Sequence, residues 1–128
     1  MVVILIHWLI KTGCEATFIE FWENQMKIPR DTGLYREILT KVNGEVDDPK
    51  FHTFSVESPH YSTFINLGIW KTLDDFDKQV GEYIPKTSID GNKQTIELKD
   101  FEFKIRERVV LTVVSDRGIE LPKAKLPE

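Results

Sequence analysis

The chain has one cysteine, Cys14, in 128 residues. No intrachain disulfide can form, so the fold must be held by packing, which suits a reducing compartment. Long apolar runs are also missing. The longest, VVILIHWLI at residues 2–10, is interrupted by His7 and is far shorter than the ~20 residues a membrane-spanning helix needs. No basic residues precede it and no small-residue cleavage site follows, which excludes the pattern of a signal peptide. Residues 11–14 resemble a lipid-modified cysteine site only loosely, because Lys11 stands where an apolar residue is required. The expectation is a cytoplasmic chain that begins with a strand and has no membrane partner.

Positive charge is not in excess. The net charge is −4, and the basic group Lys104, Arg106 and Arg108 is interrupted by Glu102 and Glu107. A nucleic-acid binder needs a basic face to neutralise phosphates, so that class is excluded. There is no phosphate-binding loop of the GxxxxGK[ST] type, no GxGxxG, no GxSxG and no HExxH. Those absences weigh against nucleotide-binding, classical dehydrogenase, hydrolase and zinc-protease readings. The three histidines, His7, His52 and His60, lack the close pairing of zinc ligands, so no metal site is expected.

What the chain does have is core material. It is 41% hydrophobic, with eight Phe, three Trp and three Tyr, enough for one domain with a sizeable core. Residues 2–10 are rich in Val and Ile and read as a strand buried on both faces. Thr12 and Glu15 have capping-box spacing. Phe18, Phe21, Trp22 and Met26 then fall on one helical face, predicting a first helix from Gly13 to Ile28 that Pro29 ends. Residues 33–42 read as a second strand. Asn43-Gly44 and Asp47-Asp48-Pro49 signal turns, and residues 50–57 suit a further extended arm.

Residues 63–70 read as the next strand. Thr72-Leu73-Asp74-Asp75 is a second cap, with acids suited to a helix N-terminus. Leu73, Phe76, Val80, Tyr83 and Ile84 predict a second amphipathic helix, closed by Pro85. Residues 86–100 are polar and carry no clear periodicity beyond a turn at Asp90-Gly91. Phe101 to Val114 read as the last strand, with Phe101, Phe103, Ile105, Val109, Leu111 and Val113 sharing one parity broken by Glu107. One domain over 1–115 and an extended tail over 116–128 account for the chain.

The order is strand, helix, strand, strand, helix, strand. This is the βαββαβ pattern of an α+β, ferredoxin-like fold with an antiparallel sheet and both helices on one face. A sheet with water on its other face should alternate apolar and polar residues. Both parities are apolar in residues 2–10 and 109–114, so the second face is expected to be covered, most simply by a second copy of the chain.

The stretches ILIHWLIKTGCEATFIEFWE, DTGLYREIL and INLGIWKTLDDFDKQV resemble the antibiotic biosynthesis monooxygenase-like family of the dimeric α/β-barrel superfamily. The likeness lies in a basic strand end, a Gly-led helix start, a Gly-led second strand, and a strand closed by Trp before a capped helix. It covers about residues 2–84 and speaks to fold more than to chemistry. The resemblance implies a homodimer built sheet to sheet into a barrel, with a small apolar cavity in each subunit. It also implies a range of activities that includes cofactor-independent oxygenases of aromatic or quinol compounds and isomerases. The haem-degrading branch resembles this chain least: its Asn, Trp and His fall at Ile6, Gln79 and Ile89 here. No cofactor is therefore expected. Additions near 43–60 and 86–100 are placed to cover the cavity.

Candidate site residues follow from strand parity. Val3, Leu5, His7 and Leu9 share one face of the first strand, and Ile4, Ile6, Trp8 and Ile10 the other. In related sequences polar residues often occupy the parity of His7, which suits a cavity wall and a general base for a phenolic proton. The alternative is a structural histidine near a dimer interface. Asn66, mid-strand, must find partners if buried, and is placed to position an oxyanion or oxygen. Trp8, Tyr35 and Trp70 are candidate substrate-binding walls. Trp22, on the helix stripe, reads as core. Which side of Tyr35, Arg36 and Glu37 meets the cavity stays open. Cys14 sits at a helix start that can lower a thiol pKa, but has no paired histidine in sequence. Two functions remain: a cofactor-independent oxidoreductase or isomerase of an aromatic or quinone-like molecule, and a non-catalytic ligand-binding or dimerisation module.

Overall fold

A computed structural model describes residues 1–29, 31–42, 58–80 and 98–118, and the backbone of residues 87–90 and 93–96. The elements in chain order are β1 (Val2–Lys11), α1 (Glu15–Asn24), β2 (Leu34–Lys41), β3 (Tyr61–Trp70), α2 (Leu73–Val80), β4 (Thr87–Asp90), β5 (Lys93–Ile96) and β6 (Glu102–Thr112). β2, β3, β1 and β6 form, in that order, a four-stranded sheet in which every pairing is antiparallel. With two helices this is an α+β architecture compatible with a ferredoxin-like fold.

β1 forms because its β-branched and aromatic residues fill a central strand paired on both edges. Its even-numbered residues Ile4, Ile6, Trp8 and Ile10 are buried beneath the helices. In an antiparallel sheet directly paired residues share a face. The register Ile6↔Asn66 and Trp8↔Phe64 therefore brings Phe64, Asn66 and Trp70 to the same side. Phe18 of α1 sits at the centre, with ring centroids 4.8 Å from Trp8, 5.0 Å from Phe64 and 5.5 Å from Phe101. Phe76 of α2 meets Trp70 edge-on at 5.6 Å. Both helices thus cover one face.

The second helix starts as its sequence predicts: the Asp75 backbone N–H donates to Thr72 Oγ1 at 3.1 Å, and that hydroxyl donates to Asp75 Oδ2 at 2.9 Å. The first does not. Its N-cap is Cys14, without a side-chain capping bond, and Thr12 Oγ1 instead donates to the Pro59 carbonyl at 2.9 Å. Glu15 takes over at the turn, accepting the Gly13 N–H and the Ser62 hydroxyl, both at 2.9 Å. α1 is also shorter than its apolar pattern. It ends at Asn24, and Met26 reaches the core from the following turn, its N–H bonded to the Phe21 carbonyl. Leu73, the first residue of α2, is exposed, and Phe76 and Val80 carry the helix's buried face. Gly33 is required where β2 begins. Its φ is +91°, and an added Cβ would lie 2.5 Å from the Asp75 carboxyl carbon.

Two further readings are corrected. Residues 86–100 contain a short antiparallel pair, β4 with β5, in the register Thr87↔Ile96 to Asp90↔Lys93. Four-residue polar strands offer too little alternation to announce themselves. In β6 the single parity does not run through. The β1–β6 register shifts between His7 and Leu9 and again between Leu9 and Ile10, so side chains change face. Phe101 is buried while Phe103, Val109 and Leu111 of the same parity are exposed, and on the other parity Glu102 and Arg106 are buried. The expected arm at 50–57, the turn at Asp90-Gly91 and the end of the second helix fall wholly or partly outside the described residues, as does the tail from 119.

The face of the sheet away from the helices carries Val3, Leu5 and Leu9, with Ile65, Leu67 and Ile69 opposite them. Val109 and Leu111 extend it and are 46% and 42% exposed. No described element covers this face.

Candidate functional site: a groove between α1 and β2

The helix-covered side opens into a groove of about 660 Å³ along the β2 edge. Ile19, Trp22 and Glu23 of α1 form one wall, Phe64 lies beneath, and residues 35–41 of β2 form the other wall. Its size and mainly apolar lining are those of a small-molecule site. α1 supplies Ile19, Trp22 and Glu23 at i, i+3 and i+4, the spacing that puts them on one helical face.

Glu37 is the polar centre of the groove. The register Glu37↔Gly68 directs it to the helix side of the sheet, where Asn66 Nδ2 donates to its Oε1 at 3.0 Å. Asn66, itself 3% exposed, accepts the indole N–H of Trp22 through Oδ1 at 2.8 Å. An indole can only donate, so Trp22 fixes the amide with its oxygen inward and its NH₂ toward Glu37. Burial pushes the Glu37 carboxyl above its ordinary value, and the Asn66 bond offsets this only in part. The groove thus holds a half-buried carboxyl that binds a proton more tightly than a solvent-exposed one.

The residues singled out in the sequence separate. Tyr35 lines the groove, beside a register shift at the start of β2, and is largely exposed. Asn66 stands directly behind Glu37. Trp8 and Trp70 are sealed in the core, outside the groove. Arg106 lies over the Trp8 ring, its guanidinium carbon 4.2 Å from the centroid. His7, paired with Ile65 and Glu107, is exposed on the far face of the sheet. A shallow depression of about 280 Å³ surrounds it, walled by Leu5, Ile65, Glu107 and Val109 with Arg108 at the margin. His7 and Asn66 therefore cannot address one bound molecule within a single chain. Trp22, read as core, is half-buried and orients the site. Glu37 lay among the residues whose facing was open, and only the β2–β3 register resolves it.

Cys14 is half-buried at the start of α1, and His60 is exposed near Phe103. His52 and the additions at 43–57 lie outside the described residues. Among the described residues no group of three or more His, Cys, Asp or Glu is arranged to hold a metal, and no helix is long and apolar enough to cross a membrane. Comparison with protein-family models gives no match, and no curated protein matches either.

Proposed function

We propose that the chain binds a small, mostly apolar molecule with an aromatic or quinone-like ring in the α1–β2 groove, and acts there as a cofactor-independent oxidoreductase or isomerase. The observation that carries this reading is Glu37, a desolvated carboxyl held by a buried amide inside an apolar groove. In this reading Glu37 exchanges a proton with a carbonyl or phenolic oxygen of the bound molecule. Asn66 is a positioning residue, and Trp22 keeps its amide turned toward Glu37. Glu37 takes the proton-handling role expected of His7, because His7 stands across the sheet. Two chains join through their open apolar faces, an arrangement supported by the parity of β1 and by the exposed Val109 and Leu111. His7 then lies at that junction.

A native mass spectrum of gently purified protein tests both parts. The expected result is a dimer carrying a reproducible extra mass of small-molecule size, absent from Glu37→Ala. A clean monomer would remove the covered-face argument. A dimer that retains the same compound equally well without the Glu37 side chain would remove the groove's role.

The carboxyl also predicts a pH dependence. A carboxyl whose folded pKa is raised binds more protons in the folded state than in the unfolded one. Its contribution therefore turns unfavourable as pH rises from the ordinary 4.5 through the raised value. Glu37→Gln keeps an acceptor for Asn66 and cannot ionise. Urea melts are expected to show the largest relative advantage for Glu37→Gln at neutral pH, with the difference shifting toward wild type as pH falls through the raised value to 4.5. A stability difference independent of pH would show that Glu37 titrates normally.

A further inference from the structure

Charge is unevenly spread along the α1–β2 groove. α1 runs along β3: Glu15 accepts the Ser62 hydroxyl at its start, and Trp22 donates to Asn66 further on. β2 crosses the same levels of the sheet, with Lys41 opposite Phe64, Leu39 opposite Asn66 and Glu37 opposite Gly68. These three are alternate residues, so they share the helix side of the strand, where all three line the groove. Lys41 therefore stands at the Glu15 end. Glu37 stands toward the other end, with Glu23 of α1, past Trp22, on the facing wall.

Lys41 is turned inward. Its Nζ lies 6.0 Å from the centroid of the Phe64 ring beneath the groove, a cation–π approach. Among the described residues no carboxylate forms an ion pair with it. Its field reaches Glu15, but both oxygens of that carboxylate are engaged, by the Gly13 N–H and the Ser62 hydroxyl. The other cation lining the groove, Arg36, pairs in register with Ile69, whose parity belongs to the open face. Between Glu37 and Lys41 the lining is apolar, formed by Leu39, Ile19 and Phe64. Four residues of strand separate the two, a backbone span of about 13 Å, which suits a molecule of fused rings with a polar group at each end.

We propose that the ligand of the groove is an aromatic carboxylic acid, with its phenolic or carbonyl oxygen at Glu37, its rings over Leu39, Ile19 and Phe64, and its carboxylate at Lys41. This rests on the groove being the ligand site and narrows the class of molecule it takes. Lys41 is a specificity-determining residue: it selects the anionic end and sets which way round the molecule lies. Glu23 and Glu37 oppose the reversed orientation, because they would face the carboxylate with like charge. A single ammonium matches a singly charged group, whereas a phosphate calls for more donors or a guanidinium fork. Lys41 is exposed, so its attraction for the carboxylate is screened by salt.

The test compares two probes at neutral pH. 6-Hydroxy-2-naphthoate carries a phenolic oxygen and a carboxylate at opposite ends of two fused rings, and 2-naphthol lacks the carboxylate. The readout is the Trp22 indole N–H signal of ¹⁵N-labelled full-length protein, which reports from the groove wall and is identified by its loss in Trp22→Phe. Both probes are expected to shift it saturably, the naphthoate with a Kd about fivefold lower, the upper end for an exposed ion pair. Lys41→Met is expected to remove most of that preference, and Lys41→Arg, which keeps the charge, to retain most of it. Raising sodium chloride should weaken the naphthoate selectively, a check that needs no substitution. Equal affinities for the two probes, or a preference unchanged in Lys41→Met, would overturn this inference and leave the groove standing as a binding site. No shift of the Trp22 signal with either probe would instead overturn the reading of the groove on which the inference rests.

Discussion

Replacing Glu102 with Ala is expected to cost about 3 kcal/mol of folding stability, the low end of what removing one partner from a buried ion pair costs. The carboxylate does three things at once. It neutralises Arg106 at 2.7 Å, with both side chains essentially sealed from solvent. It accepts the Lys99 backbone N–H, and it offsets the repulsion between Arg106 and Arg108. Loss of the side chain leaves a buried guanidinium without this counter-charge and a backbone donor without its acceptor. Denaturant melts would read the change directly. Pairing Glu102→Met with Arg106→Met removes both charges and should recover most of the loss, since an apolar pair of similar size is often no worse than a buried ion pair. A near-neutral Glu102→Ala would show that water reaches the pair.

Phe18→Ala is expected to cost still more, about 3–5 kcal/mol, the usual range for deleting a buried aromatic ring. The side chain is 0% exposed and touches Trp8, Phe64 and Phe101, so its removal strips one ring from each of three contacts. Those neighbours are anchored on three different strands or strand ends and cannot close together into the gap. Against a total of about 5–15 kcal/mol for a domain of this size, that loss brings the chain close to unfolding at ordinary temperature. Urea unfolding should show a lower midpoint with an unchanged slope. A loss under about 1 kcal/mol would mean that the core collapses around the vacancy. Phe18→Leu, which keeps most of the volume, should recover the larger part.

The sequence by itself determined the order of the four main strands and two helices, the layer arrangement and the apolar core. Each rests on local periodicity, and the apolar residues of β1, α1 and β3 lie where alternation and the helical stripe put them. The capped start of α2 was legible because Thr72 and Asp75 are three residues apart. What remained illegible depends on residues distant in the chain. The orientation of Glu37 is set by a register with β3, and its hydrogen-bonded partner is Asn66, itself oriented by Trp22; these two are 29 and 15 positions away. His7 and Asn66 read as partners because both are polar residues in apolar strands; the register Ile6↔Asn66 and His7↔Ile65 puts them on opposite faces. In β6 a strict period of two made Glu107 look like the exception. Pairing with β1 instead puts Val109 and Leu111 on the open face with Leu5 and Val3, and Glu102 on the helix side with Ile10, while Phe101 is buried and Phe103 of the same parity is exposed. A bulge changes which face every later residue meets, and its position is set by pairing with the neighbouring strand. Periodicity is a property of a segment, so the sequence carries it; facing, desolvation and partnership are properties of pairs of segments, and only the tertiary structure decides them.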